Sequence, residues 1–194
     1  MNEEESTVRD EEDIGKAKKT DEEKTSLFDW VEIIVTAMTA CILIFLFIGR
    51  TVSVSGPSME STLFDSERLI ISKLFYTPKQ GDIIVFRNSA YKDDPLVKRV
   101  IALEGQTVDI DFEKGVVYVD GKELDEPYVN SPTNRELDFE DEITVPEGCV
   151  FVLGDNRNRS NDSRDARIGC VDTRYILGKV LWRIMPLSRF GSVY

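Results

Sequence analysis

The sequence predicts a mainly β protein in which one amino-terminal transmembrane helix precedes an antiparallel β domain. Three observations lead to this fold class. Residues 33–49 carry no charge, short strand-like runs recur with turn signals after residue 50, and no stretch beyond residue 50 has a helical period. With 194 residues, the chain is long enough for one ordinary domain plus a short extra segment.

Residues 1–29 form a strongly acidic tail with few apolar side chains, a composition that predicts disorder. The whole chain has a formal net charge of −12, and basic residues cluster nowhere in it. Binding to nucleic-acid phosphates requires clustered positive charge, so this composition argues against a nucleic-acid partner.

Residues 30–50 are predicted to be a transmembrane helix. The uncharged part of this segment would extend roughly 26 Å as a helix, close to the roughly 30 Å hydrocarbon core of a bilayer. A buried core helix is the first alternative, but it would show a polar face, which this run lacks. A cleaved secretory signal is the second, but it needs a small-residue cleavage site, and residues 49–53 offer a poor one. A retained anchor is the preferred interpretation.

The orientation of the anchor follows from the basic residues on its two sides. Four lysines precede the span closely and two arginines follow it: Lys16, Lys18, Lys19 and Lys24, then Arg50 and Arg68. By the positive-inside tendency, the amino terminus is predicted to be cytoplasmic and residues 51–194 extracytoplasmic, at the cell membrane.

The outer domain is predicted to be mainly β. The hairpin signal Asp120-Gly121 follows one apolar run, while residues 130–142 are polar, acidic and loop-like. Of the three cysteines, Cys41 lies in the span, and a disulfide between Cys149 and Cys170 is left open. No metal-type spacing occurs and no cofactor is predicted. The predicted strands are 50–55, 68–75, 83–86, 97–103, 116–119, 149–153 and 178–185.

The chain contains no histidine, so a serine nucleophile would need another base, and a neutral lysine can serve. Ser58 is the candidate nucleophile, because Gly56 and Pro57 break the preceding strand and present Ser58 on a turn. The alternative is that Gly-Pro-Ser is an ordinary turn without chemistry.

Lys98 is the candidate base, because it interrupts an apolar strand. A pKa lowered by roughly 2 to 3 from about 10.4 through burial would make this amine usable near pH 8. The alternative is that Lys98 points into solvent beside Arg99.

Residues 154–164 form a polar run directly after an apolar strand. An exposed loop is one interpretation. A calcium loop is disfavoured, because Arg157 occupies the position of the third ligand and no glutamate closes the series. A support shell fits better, since hydroxyls can orient a lysine amine and an Asp-Arg pair can hold the loop rigid.

Together, these segments resemble bacterial type I signal peptidases of the single-span form. The resemblance covers roughly residues 28–190. It rests on Ser58-Met59 with Thr62-Leu63, on residues 81–87 (GDIIVFR), on residues 98–105 (KRVIALEG), and on residues 154–157 (GDNR) leading to Ser160-x-Asp162-Ser163-Arg164.

The resemblance implies a role for each candidate residue. Ser58 would attack the peptide carbonyl with Lys98 as general base, Ser160 would orient the lysine, and Asp162 and Arg164 would buttress the site. It also implies a Ser-Lys protease fold with a smaller, variable β portion at 105–147. Apolar residues would line small pockets for the substrate side chains: Val52, Val54, Met59, Leu63 and Val97.

The implied substrates are secreted preproteins with a small-x-small (Ala-x-Ala) site, met at the membrane lipid with the export machinery nearby.

Two positions depart from the family pattern. Gly56 stands where some members place a serine that assists the oxyanion hole, and Ser61 stands where a proline is common. With Gly56, the hole would rest on the Ser58 backbone N–H with help from elsewhere.

Two other enzyme classes and one class of binding protein are alternatives to a type I signal peptidase. A self-cleaving Ser-Lys repressor-type protease is disfavoured by the span and by the missing DNA-binding region. A sortase-like transpeptidase needs a histidine and is excluded. A membrane-tethered β domain that binds partners without catalysis stays open, because Gly56 and Ser61 depart from the pattern.

Overall fold

The computed structural model describes residues 28–42 and 50–193. The chain divides into two compact units, Met1–Phe47 and Ile48–Tyr194. In the first unit, residues 28–42 are helical and exposed. Most of the predicted acidic tail and the last part of the predicted span, residues 43–49, lie outside the described residues. Within the described ranges, no helix is both long enough and apolar enough to cross a membrane.

The second unit is built from β strands, which confirms the prediction of a mainly β domain. Twelve strands are found within residues 50–193. Their bounds are β1 Arg50–Ser53, β2 Arg68–Ser72, β3 Ile83–Asn88, β4 Lys92–Leu103, β5 Thr107–Asp111, β6 Val116–Val119, β7 Lys122–Glu123, β8 Ile143–Thr144, β9 Cys149–Leu153, β10 Val171–Asp172, β11 Ile176–Met185 and β12 Gly191–Ser192.

The strands of residues 50–193 form two antiparallel sheets. The larger sheet has the order β1-β2-β11-β3-β4-β9-β10, with β12 paired to β11. The smaller sheet has the order β7-β6-β5-β8 and lies within the 105–147 stretch. Its strand β5 alternates buried Val108 and Ile110 with the exposed Asp109, as expected for a sheet with one face on the core.

The central strand β3 carries four consecutive buried residues, Ile83 to Phe86, because both faces of the larger sheet are covered at this point. Beside it, β4 pairs in a register that places Lys98 opposite Ile84 and Arg99 opposite Ile83. Lys98 is 3% exposed and Arg99 is 5% exposed. The fold therefore buries Lys98 rather than leaving it on a solvated strand face.

Candidate active site

Ser58 lies on a turn that leaves the sheet after β1. The turn begins at Gly56, whose φ of +88° favours glycine and whose N–H donates to Asp65 Oδ1 at 2.8 Å. The backbone carbonyls of Pro57 and Ser58 accept hydrogen bonds from the side chain and the N–H of Asn156, both at 3.1 Å. The turn is therefore fixed on both sides of Ser58.

The amine of Lys98 lies beside the Ser58 hydroxyl. Lys98 Nζ is 2.8 Å from Ser58 Oγ and donates to the Val97 carbonyl at 2.9 Å, and the residue is only 3% exposed. Burial lowers the pKa of Lys98 to about 8, against the opposing effect of the carboxylates of Asp162 and Asp155. The structure thus gives Lys98 the inward orientation, and the amine is neutral in a large fraction of molecules near pH 8.

Asp162 and Arg164 form a fully buried ion pair behind the two residues. Arg164 Nε lies 2.8 Å from Asp162 Oδ1, and Asp162 Oδ2 accepts the N–H of Gly154 at 3.0 Å. Burial raises the pKa of Asp162, but the hydrogen bonds and charge of Arg164 outweigh it and hold the pKa below its usual value. The carboxylate stays ionised, and the loop that carries it is tied to its own start.

Ser160 is fully buried close to this pair. Its Oγ meets no described residue in good hydrogen-bond geometry, although it lies near enough to the Asp162 carboxylate to help hold the pKa of that acid low. The lysine-orienting bond that the resemblance implies for Ser160 is therefore not formed here. The Val97 carbonyl holds Lys98 Nζ instead. A buried hydroxyl without a well-aligned partner is rare in folded proteins, so Ser160 Oγ is a group available to a reacting complex.

A second buried ion pair joins Arg99 to Asp155. The Arg99 guanidinium binds the carboxylate with two N–O contacts of 2.8 and 2.7 Å, and Thr62 Oγ1 donates to the same carboxylate. The sequence suggested only that some Asp-Arg pair would hold the loop rigid, and it did not name this one. The visible signal was a charged residue, Arg99, inside an apolar strand.

Gly154 is required where β9 meets the loop. A Cβ atom at this position would lie 2.2 Å from Ser160 Oγ and 2.5 Å from the Ser58 carbonyl oxygen. These distances are far below van der Waals contact. Gly154 therefore lets the loop of Ser160 approach the Ser58 turn.

A groove of about 430 Å³ opens beside Ser58 and Lys98. Four of the five predicted pocket residues line it: Val52, Val54, Met59 and Val97. Leu63 does not, because its side chain is fully buried in the core cluster that also contains Met59. Gly56 adds no bulk here, since a Cβ at this position would have nothing within 4 Å.

Cys149 and Cys170 are free thiols in this structure. Both are half-buried, and desolvation raises the pKa of each, that of Cys170 to about 11. Neither is among the residues that line the groove beside Ser58 and Lys98.

Comparison with known proteins yields consistent matches. A sequence model described as "Signal peptidase, peptidase S26" matches residues 27–185. The chain is 36% identical over 183 residues to "Signal peptidase I" of Bacillus licheniformis, covering 88% of this chain and 95% of that protein. It is 34% identical over 187 residues to "Signal peptidase IB" of Staphylococcus aureus, covering 86% and 94%.

Among solved structures, a signal peptidase I from Enterococcus faecalis V583 is 34% identical to this chain. Its alignment covers 54% of this chain and 97% of that structure, with a TM-score of 0.43. The family match spans most of the chain and includes both members of the serine-lysine pair. The chain therefore belongs to the signal peptidase family, peptidase S26, in its bacterial type I form, and is a serine endopeptidase.

Proposed function

We propose that this protein is a membrane-anchored peptidase that removes amino-terminal signal peptides from secreted preproteins, using Ser58 and Lys98 as a catalytic dyad. The observation that carries the proposal is the 2.8 Å separation of Lys98 Nζ and Ser58 Oγ beside an open groove. The chain has no histidine to compete for the role of base.

In the first step, neutral Lys98 removes the Ser58 proton as Oγ attacks the scissile carbonyl. One amine N–H donates to the Val97 carbonyl, and a neutral amine so held keeps its lone pair available to accept the Ser58 proton. The oxyanion of the tetrahedral intermediate is stabilised by the Ser58 backbone N–H. The Lys98 ammonium then donates its proton to the leaving amine.

In the second step, a water molecule gives a proton to Lys98 and attacks the acyl group on Ser58. Collapse of this intermediate returns the proton to Ser58 Oγ and releases the new carboxylic acid, which loses its remaining proton to solvent. Ser160 contributes a hydroxyl that has no well-aligned partner among the described residues, and it can rotate toward the lysine in the reacting complex. Asp162 and Arg164 keep this loop in place.

Specificity for small-x-small sites is supported by the size and lining of the groove. Branched apolar side chains border it and leave room for short side chains of an extended peptide. Among the described strands, β1 pairs with β2 alone, and β9 pairs with β4 only from Arg99 onward. The backbone before Lys98 can therefore accept a substrate strand through main-chain hydrogen bonds.

The proposed placement is a span at residues 30–50, a cytoplasmic amino terminus and an extracytoplasmic domain at 51–194, next to the lipid and the export machinery. Ser58 follows Arg50 by eight residues, so even an extended chain keeps it within roughly 28 Å of the end of the span. The cleavage point of a membrane-inserted signal peptide lies at that surface. This match favours a preprotein over a soluble substrate.

The proposal is tested with detergent-purified full chain and a labelled preprotein that has an Ala-x-Ala site. We expect cleavage after the second alanine by the wild type. We expect none by Ser58→Ala or by Lys98→Arg, since a guanidinium cannot be deprotonated. Ser188→Ala, at an exposed position, is the matched control and should cleave normally. If folded wild type cannot cleave, a tethered binding domain without catalysis becomes the better interpretation.

A further inference from the structure

A segment of the smaller β portion reaches the immediate neighbours of both dyad residues. Residues Glu126 to Tyr128 follow β7 and precede the long connection to β8. In sequence they are 26 or more residues from the dyad and from the loop that supports it. Glu126 and Tyr128 are nevertheless half-buried against that loop and the Ser58 turn.

Glu126 holds the supporting loop through Arg157. Its carboxylate accepts hydrogen bonds from both terminal nitrogens of the fully buried Arg157, one of them at 2.7 Å. Arg157 also donates to Thr133 Oγ1 and to the Gly154 carbonyl, each at 3.0 Å. Every nitrogen of this guanidinium is thus bonded, and the loop is attached to the smaller β portion.

Tyr128 touches a neighbour of each dyad residue. Its ring lies 3.8 Å below the guanidinium carbon of Arg99, the residue next to Lys98. Its backbone carbonyl accepts a 2.6 Å hydrogen bond from Ser61 Oγ, three residues after Ser58. Its hydroxyl donates to Glu126 Oε1 at 2.9 Å. Burial and the carboxylate of Glu126 raise the pKa of the phenol, so it stays a donor at working pH.

The Arg99 contact matters because Arg99 neutralises Asp155. Stacking on Tyr128 fixes the guanidinium in the plane in which it binds the Asp155 carboxylate with two hydrogen bonds. Asp155, Asp162 and Arg164 are the charged groups that act on Lys98. If Arg99 moves away, the uncompensated charge of Asp155 acts more strongly on the lysine.

We propose that Tyr128, supported by Glu126, is a positioning residue for the Ser58–Lys98 dyad. It fixes the Ser58 turn through Ser61 and the strand of Lys98 through Arg99. This inference rests on the proposed function, in which the two atoms must meet at a reactive distance. It gives the smaller β portion a part in catalysis, although none of its residues touches the reacting atoms.

The test compares Tyr128→Leu and Tyr128→Phe in the full chain, with the labelled preprotein as substrate. In Tyr128→Leu the ring below Arg99 is lost. We expect kcat to fall by about 10- to 100-fold, the effect typical of a small misplacement of reacting groups, while KM stays near that of the wild type. Tyr128→Phe keeps the ring and should retain most of the activity.

The pH profile separates positioning from loss of stability. In Tyr128→Leu the acid limb of kcat/KM should move to higher pH, because an exposed Asp155 charge raises the pKa of Lys98. Ser61→Ala breaks only the link to the Ser58 turn. It should therefore lower kcat without moving the acid limb of the kcat/KM profile. Tyr118→Leu removes a half-buried tyrosine from β6 in the same portion and should change neither quantity.

An unchanged kcat and acid limb in folded Tyr128→Leu would overturn the proposal. If that variant does not fold, Ser61→Ala decides, and an unchanged kcat there has the same meaning. A second readout is the rate at which a small sulfonyl fluoride modifies Ser58. In this reaction Oγ forms the S–O bond, fluoride leaves and Lys98 takes the proton. Normal modification without preprotein cleavage would refute the proposed function, while slower modification in Tyr128→Leu would still support the positioning role.

Discussion

In the proposed mechanism, burial of Lys98 gives the serine its base, and the same burial costs folding stability. The two effects have one cause, because removing the ammonium from water disfavours its charged form. The carboxylates of Asp155 and Asp162 oppose this effect and keep the pKa from falling further. The site thus balances desolvation against two nearby negative charges.

The first prediction concerns activity and pH. Because only the neutral amine can take the Ser58 proton, kcat/KM should rise with pH and level off above the Lys98 pKa of about 8. The measurement is the initial rate of preprotein cleavage at subsaturating substrate across this range. A flat profile through pH 8, or one that falls there, would exclude Lys98 as the base.

The second prediction concerns stability. The folded pKa of about 8 lies below the ordinary value of 10.5, so between these pH values the unfolded chain binds a proton that the folded chain does not. The free energy of unfolding of the wild type should therefore rise across this window, by on the order of 3 kcal/mol. Below pH 8 the full cost of burying the charge is present.

Lys98→Met has no such group, so the difference between the two proteins isolates the lysine. We expect Lys98→Met to be inactive, to be more stable than the wild type at pH 7, and to lose this advantage toward pH 10.5. Denaturant unfolding of both proteins at several pH values is the measurement. Parallel pH dependences would show that the amine is not desolvated in the folded state.

Among the elements, most strands of four or more residues were predictable. Strand β5 was missed although it alternates polar and apolar residues, and the shortest strands were missed as well. A turn signal, Gly81-Asp82, followed by four apolar residues predicts strand β3, and a similar apolar run predicts β9. Strands β7, β8, β10 and β12 have two residues each, too few to show a period. The prediction also began β4 at Val97, whereas the strand starts at Lys92. Polar residues and Pro95 are tolerated there because β9 does not pair with that part of β4.

Some residues of the site could likewise be predicted from the sequence, and others could not. Ser58 and Lys98 could be proposed because their chemistry restricts the choice of residue type in a chain without histidine. Arg157, Glu126 and Tyr128 could not be paired, because an arginine in a polar run gives no sign of which distant acid will bind it. The family resemblance implied that Leu63 lines the groove, but a matched apolar residue can belong to the pocket wall or to the core behind it, and Leu63 belongs to the core.

The third prediction concerns the junction of β9 with the supporting loop. Gly154→Ala should abolish preprotein cleavage, because its methyl group would overlap Ser160 and the Ser58 carbonyl, and neither can retreat without moving the dyad. Gly169→Ala is the control. It meets nothing within 4 Å, and at its φ of +57° it should cost about 1 kcal/mol of stability while activity is kept. Cleavage at the wild-type rate by Gly154→Ala would show that the loop can adjust.

For the whole molecule, the division into two units separates the groups proposed to cleave the substrate from the segment proposed to hold the protein at the membrane. The unit Ile48–Tyr194 contains the dyad, the groove and the supporting network. Its three apolar clusters are formed by its own strands and loops. The proposed anchor adds proximity to substrate, since tethering enzyme and preprotein to one membrane raises their effective concentration.

The last prediction follows from this separation. A fragment of residues 50–194 should fold and cleave a soluble peptide with an Ala-x-Ala site at the same kcat/KM as the detergent-solubilised full chain. On a preprotein held in liposomes, the fragment should be slower than the reconstituted full chain by at least about tenfold, because it must reach the membrane by diffusion. The Ser58→Ala fragment is the blank for both substrates. If the fragment and the full chain cleave the liposome substrate at equal rates, the anchor contributes nothing to substrate encounter. If the fragment is folded but does not cleave the peptide, the amino-terminal unit takes part in the chemistry itself.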